Sequence, residues 1–367
     1  MISNSKNIDK INSQTSNLHK RDYFMSLIDK ASKENELSKE EIIELLQLEE
    51  KELLDYLHHK ADSIRAQYHG QEVHLRGIIE FSNYCNKNCF YCGLRKDNQD
   101  LQRYKLNEED IIEIAYAGID LAYKTIVFQS GEDGYAADTI AYIIKKVKSK
   151  ANIAISLCLG ERDFQEYQLW KDAGADRYLL KHETADKSLY KKLHPEMDYH
   201  TRINHLHKLK EMGYQTGSGN IIGLPGQSLA SLADDILLFK ELRLDMAGIG
   251  PFIPHYKTPL AEERQGTVEL TLKVLAITRL LIPLIHLPAT TALGTVALDG
   301  RQRALQAGAN IVMPNITSSK YRSLYEIYPA KICIDEKASD CRQCIGGIIS
   351  SLGRTVSQAR GDSLINK

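Results

Sequence analysis

From residue 74 onward, short apolar β-rich segments alternate with amphipathic helical ones, and this rhythm restricts the fold more than any other feature of the chain. Strand candidates fall at residues 74–82, 125–130, 152–159, 177–182, 216–222, 246–252, 287–292 and 310–314. Asn107 is placed to cap a helix whose apolar residues are Ile111, Ile112, Ala115, Ile119 and Leu121. Ser228 is placed to cap another, with Leu229, Leu232, Ala233, Ile236 and Leu237 at helical spacing. A third helical pattern runs over 270–281. Strands that alternate with helices build parallel β-α units with right-handed crossovers. Eight such units predict an α/β fold of the closed (β/α)8 barrel type, with an open doubly wound sheet as the competitor. In a barrel, chemistry belongs at the C-terminal ends of the strands.

The 367 residues accommodate this barrel with additions at both ends. Residues 1–20 carry no apolar run, so they read as a mobile tail rather than a secretory signal. Residues 21–73 form a helical extension, in which Ser38 and Glu41 have the spacing of a capping box ahead of Ile42, Ile43, Leu45, Leu46 and Leu48. The barrel spans 74–320. Residues 321–367 form an appendage with cysteines of its own.

Lys plus Arg total 47 and Asp plus Glu 48, a net charge of −1, which gives no basic excess for nucleic acid. The most apolar stretch, 280–289, is interrupted by Pro283, His286 and Pro288 and falls short of the ~18 residues a membrane span needs. Seven cysteines, an odd number without an export signal, point to metal or redox chemistry in a reducing cytoplasm rather than to a disulfide framework.

The strongest chemical signal is Cys85-x3-Cys89-x2-Cys92, directly after the first strand. Three thiolates on one short loop can hold three corners of a 4Fe-4S cubane and leave the fourth iron open. Structural zinc takes four protein ligands, and no fourth lies nearby. A second set, Cys333-x7-Cys341-x2-Cys344, admits an iron-sulfur cluster, a zinc ion or a reduced thiol trio. Cys158, inside an apolar strand, reads as a small buried hydrophobe. His205 and His207 point to different sides of a helix and make no metal pair. Gly217-x-Gly219-x3-Gly223 has its third glycine one residue late for a dinucleotide fingerprint, and tight barrel packing explains it as well as a binding role does. Arg360-Gly361-Asp362 resembles an adhesion tripeptide, a likeness that reads as chance in a cytoplasmic enzyme.

The first cysteine motif, with Tyr91 before its third cysteine, resembles the radical S-adenosylmethionine (SAM) superfamily. From about Glu72 to Cys344 the chain is similar, more narrowly, to the HydE family of iron-iron hydrogenase maturases. The segments that carry this include EVHLRGIIEFSNYCNKNCFYCGLRKDN, TIVFQSGED, DRYLLKHETA, GSGNIIGLPGQS, PATTALGT and MPNITSSKYRSLYEIYP. The resemblance implies a 4Fe-4S cluster on Cys85, Cys89 and Cys92, with SAM on the open iron and cleaved reductively to a 5′-deoxyadenosyl radical. It implies that Glu183 and Arg202 position SAM, with Gln129, Ser130 and Ser156 lining its pocket and Met246 packing near it. Thr290 and Thr291 would face the substrate, suited to an anion, with Met313 and Tyr325 on the wall. Lys181 stands where the family pattern has arginine, so charge is kept and the bidentate fork lost. Cys333, Cys341 and Cys344 would carry an auxiliary 2Fe-2S or 4Fe-4S cluster. The implied substrate is a small cysteine-bearing iron carbonyl cyanide complex delivered by the maturase HydG, with the product passing to HydF and electrons coming from a reducing donor. Two other readings keep the motif: a biotin-synthase-like or methylornithine-synthase-like enzyme acting on carbon, and a non-catalytic iron-sulfur carrier.

Overall fold

The computed structural model describes residues 19–132 and 134–365, so most of the expected tail lies outside the described residues. Among the described residues, seven strands of an eight-stranded parallel sheet form its main path: β1 (Glu72–Ser82), β2 (Thr125–Ser130), β3 (Ala154–Cys158), β4 (Arg177–Leu179), β5 (Gln215–Ile222), β6 (Met246–Pro251) and β7 (Ile311–Val312), in the spatial order β6-β5-β4-β3-β2-β1-β7. Single bridges complete the ring, from Met246 to His286 and from Pro288 to Ile311. The predicted strand at 287–292 is therefore reduced to this bridging segment. Pro288 has no N–H to give a ladder. Thr290 instead takes an N-cap role, its Oγ1 accepting from Leu293 N at 3.4 Å at the start of helix Thr291–Val296. The strand expected at 177–182 likewise ends early, at Leu179.

The expected caps form. Asn107 accepts from Asp110 N and Ser228 from Ser231 N. Ser38 and Glu41 close both arms of their capping box, at 3.2 and 2.7 Å. Helix Val268–Leu281 is buried on almost every side, from Leu272 and Leu275 to Ile277 and Leu280. It lies between the barrel and helices Lys39–Leu46 and Lys51–His69, and a helix apolar all round needs such a position. Lys273, near its start, donates to the Leu46 and Leu48 carbonyls at the end of the first of these.

The floor of the barrel is closed by the C-terminus. A short strand β8 (Thr355–Val356) pairs with the beginning of β1. The chain then crosses beneath the barrel, where Arg177 Nη2 donates to the carbonyls of Arg360 and Gly361, each at 2.9 Å, and to Asp362 Oδ1 at 2.8 Å. Arg76 Nη2 donates to the Gly361 carbonyl at 3.3 Å. Gly361 has φ +62°, and a Cβ there would stand 2.8 Å from His74 Nδ1. Arg360-Gly361-Asp362 thus forms a structural plug. Among the described residues, no helix is long and apolar enough to cross a membrane.

Candidate functional site

Side chains alternate across a strand, so every second residue of the barrel faces inward. Ile78 and Glu80 of β1, Gln129 and Gly131 at the end of β2, Cys158 and Gly160 at the end of β3, and Leu179, Lys181 and Glu183 at the end of β4 line one cavity of about 400 Å³. Glycines hollow out the far side. A Cβ on Gly219 would collide with the Gly248 carbonyl and stand 2.8 Å from Lys181 Cε. These glycines let β5 and β6 approach and give the Lys181 stem its path, so close packing and an open interior are one requirement.

The cysteine loop covers the mouth. Cys85, Cys89 and Cys92 all open onto the cavity. Backbone bonds fix the loop: Gly131 N donates to Ser82 O at 3.0 Å, Asn86 N to Glu132 O at 2.9 Å, and Gly93 N to Ile327 O at 3.0 Å. Arg103 gathers the carbonyls of Asn83, Leu94 and Arg95 at 2.6–2.9 Å. Burial raises all three thiols above their ordinary pKa, Cys92 to about 12, and each neighbouring thiol raises Cys89 further. Cationic iron reverses that cost, because it binds the thiolate. Among the described residues no three His, Cys, Asp or Glu side chains surround the point a single ion would occupy. Three thiols carried on one loop match the three-thiolate set of a cubane with an open iron.

Tyr91, in the motif, donates to His194 Nε2 at 2.8 Å, because His194 Nδ1–H is committed to the Tyr190 carbonyl at 2.9 Å. Burial holds this imidazole neutral, its pKa lowered to about 4.

Arg202, on helix Tyr199–Glu211, is buried at the mouth. Its Nε donates to Glu161 Oε1 at 2.6 Å, its Nη1 to the Lys181 carbonyl at 2.9 Å, and its Nη2 to Glu132 Oε1 at 3.4 Å. Burial raises the Glu132 pKa, with Arg202 and then Lys87 opposing it. Glu183 has φ +65°, outside the range a non-glycine residue prefers, and pairs with Lys181 at 3.0 Å. Its peptide is held to β5 through Gly219 O and Ile221 N, each at 3.0 Å.

The remaining predicted residues divide by depth. Gln129, Ser130, Lys181, Glu183, Arg202, Met246, Thr290, Thr291, Met313 and Tyr325 share the large cavity with the three cysteines. Gln129 Nε2 donates to Tyr325 Oη at 3.4 Å. Ser156 is not brought there. It faces inward one layer lower, with Arg76 and Arg177, on a separate chamber of about 10 Å³, room for roughly one water. Cys158 corrects the reading as a core hydrophobe, since the inward phase of β3 turns it into the cavity, where burial pushes its thiol up to about 12.

Cys333, Cys341 and Cys344 lie outside the cavity wall. Cys341 is buried and Cys344 exposed one turn later on helix Ala338–Ser351. Cys333 sits in the preceding loop at φ +63°. A hydrogen bond with Cys341, aided by Arg301, lowers the Cys333 thiol below its ordinary value. Arg322 fixes the loop by donating to the carbonyls of Cys333 and Glu336.

Sequence reasoning passed over Glu80 and Lys331, which pair in the wall at 2.9 and 3.0 Å, and the acidic partners Glu132 and Glu161 of Arg202. Counting by twos along β1 from Arg76 would have placed Glu80 inside. Nothing local marks Lys331, 251 residues away.

Residues 79–239 match the radical SAM superfamily. The [FeFe] hydrogenase maturase subunit HydE of Thermotoga maritima is 50% identical over 87% of this chain and 92% of its own. The crystal structure of methylornithine synthase (PylB) superposes with a TM-score of 0.80 at 26% identity, covering 90% of this chain and 97% of that one. A crystal structure of HydG, a maturase of the [FeFe]-hydrogenase, gives 0.78 at 20% identity over 96% and 80%, a likeness of fold.

Proposed function

The chain belongs to the HydE family of [FeFe] hydrogenase maturases within the radical SAM superfamily, and on that premise we propose how its own residues serve the reaction. The family's cofactors, a 4Fe-4S cluster and SAM, supply a 5′-deoxyadenosyl radical when bound. Cys85, Cys89 and Cys92 hold the cluster by three thiolates. Glu183 and Arg202 orient SAM by charge and hydrogen bonding, while Gln129 and Ser130 offer polar atoms beside it and Met246 an apolar one. Ser156 acts from the layer below. Lys181 and Thr291 receive an anionic substrate between the walls made by Met313 and Tyr325, with Thr290 facing the same end of the cavity. The plug at the floor excludes bulk water from that end.

The substrate we propose is a small cysteine-bearing iron carbonyl cyanide complex, attacked at sulfur. HydG would deliver it and HydF receive the product, with a reducing protein as electron source and the cytoplasm as location. Cys333, Cys341 and Cys344 would hold an auxiliary iron-sulfur cluster outside the core chemistry. The observation that carries the reading is that three thiols and two threonine hydroxyl positions open onto the same cavity of about 400 Å³.

The test is anaerobic reconstitution with iron and sulfide, followed by dithionite and SAM, with adenosyl products identified by mass spectrometry. We expect free 5′-deoxyadenosine without substrate and an adenosyl-sulfur adduct with the iron complex. Cleavage indifferent to the complex would move the substrate to carbon. No cleavage from a loaded cluster would favour a carrier. Cys89→Ala should abolish cleavage and leave only the iron bound by the C-terminal cysteines.

A further inference from the structure

Arg301 connects two regions that the reaction scheme leaves separate. It is 6% exposed, on helix Gly300–Gln306. Its Nη1 donates to Cys333 Sγ at 3.6 Å, and its Nη2 donates to Thr291 Oγ1 at 3.2 Å. Thr291 lines the large cavity; Cys333 does not. One guanidinium thus touches the second cysteine set with one arm and the substrate end of the cavity with the other. The packing around it is close: a Cβ on Gly294 would stand 2.7 Å from Ile332 Cδ1 and 3.4 Å from Arg301 Nε.

Hydrogen-bond accounting separates the two adjacent threonines. A hydroxyl has one proton to give and two lone pairs to receive with. Thr290 Oγ1 accepts from Leu293 N and donates to the Ile249 carbonyl, both at 3.4 Å, so its proton is committed to the fold. Thr291 Oγ1 receives from Arg301, and this directs a lone pair towards the arginine and leaves the proton free for the cavity. We infer that Arg301 is a positioning residue that fixes the Thr291 hydroxyl as the anion donor at the substrate end, and that it ties this donor to whatever Cys333 binds. Thr290 caps the helix and sets the backbone. The inference rests on the anion-binding reading of the cavity given above.

The consequence is reciprocal coupling. A change at Cys333 alters the hold on one arm of Arg301 and so the affinity of the cavity for an anion, and an anion in the cavity acts back on Cys333 by the same factor. Small ligands therefore sense the second cysteine set although it contributes no atom to the cavity.

The test uses the full chain, reconstituted and SAM-loaded, with iodide as the anion probe and its NMR line broadening as the readout. Thr291→Val and Arg301→Lys should each weaken iodide about fivefold, the value of roughly one hydrogen bond. The double variant should be no weaker than Thr291→Val alone, because both remove the same interaction. Cys333→Ser, outside the cavity, should weaken iodide about twofold or more through the shared arginine. Additive losses, or wild-type affinity in Arg301→Lys or Cys333→Ser, would overturn the inference while leaving the cavity reading intact. Wild-type affinity in Thr291→Val would instead defeat the anion reading itself. If Arg301→Lys does not fold, the Thr291→Val and Cys333→Ser pair decides by the same additivity criterion.

Discussion

Arg202 and Glu132 meet across the mouth of the barrel at 3.4 Å, one from the helix after β4 and the other from the end of β2, directly over the cysteine loop. Glu161 holds the same guanidinium from a third direction at 2.6 Å. The arginine is thereby aimed before any ligand arrives, and its two carboxylates offset the charge that burial would otherwise penalise.

Replacing Arg202 with methionine keeps much of its volume and leaves two carboxylates unpaired. Unfolding in urea should show a loss of about 3 kcal/mol, the range for breaking a buried pair on one side. Arg202→Lys should recover most of that stability without recovering SAM affinity, because lysine lacks the fork that spans both acids. Equilibrium dialysis with SAM separates the two effects; equal recovery of both would count against an orienting role.

Gly131 is where β2 meets the cysteine loop. A Cβ there would collide with the Tyr84 carbonyl and stand 2.9 Å from Cys85 Cβ, with no flexible side chain to yield. Gly131→Ala should cost about 1–3 kcal/mol by overpacking. Iron bound at the first cysteine set should fall, measured in a Cys333→Ser/Cys341→Ser background. Iron content equal to that of the glycine parent would show that the loop adapts.

Burial lowers the pKa of His74 and His194 to about 4 and of His69 to about 3, from an ordinary value of 6.5. The unfolded chain then binds more protons than the folded chain between those limits. Stability is full above pH 6.5 and is lost as the pH falls towards 4. Each histidine contributes up to about 1.4 kcal/mol per pH unit in that window. Urea midpoints measured from pH 7.5 to 4.5 should decline steadily below 6.5, and His194→Gln should flatten the decline. A flat profile would mean that these imidazoles are not held neutral.

Ending the chain after Val356 removes Asp362 and the Gly361 carbonyl from Arg177 and Arg76. Truncation also opens the floor and lets water reach Arg177, so the loss should fall below the ~3–5 kcal/mol of a pair broken while fully buried. Adding Arg177→Met to the truncated chain should restore part of the loss, since the uncompensated charge is gone. Thermal melts of the three proteins test this, and no rescue by methionine would assign the loss to packing instead.

Much of the fold was legible because strands and helices announce themselves locally. The caps at Ser38, Asn107 and Ser228 and the bounds of β2 followed from side-chain chemistry within four residues. The segment after Leu287 misled for the same reason: its apolar residues resemble a strand, yet Pro288 and the Thr290 cap redirect the backbone into a helix.

By itself, then, the sequence determined the alternation that builds the barrel, the three-cysteine loop after β1, and the polar residues placed at strand ends. These are consequences of periodicity and short-range spacing. The tertiary structure decided what depends on the inward phase of each strand and on distant pairing. It turned Cys158 into the cavity and put Ser156 one layer beneath it. It brought Glu80 to Lys331, closed the floor with Arg360-Gly361-Asp362, and set Arg301 between Cys333 and Thr291. Such contacts arise only when barrel closure brings together segments tens to hundreds of residues apart, and no local pattern records that closure.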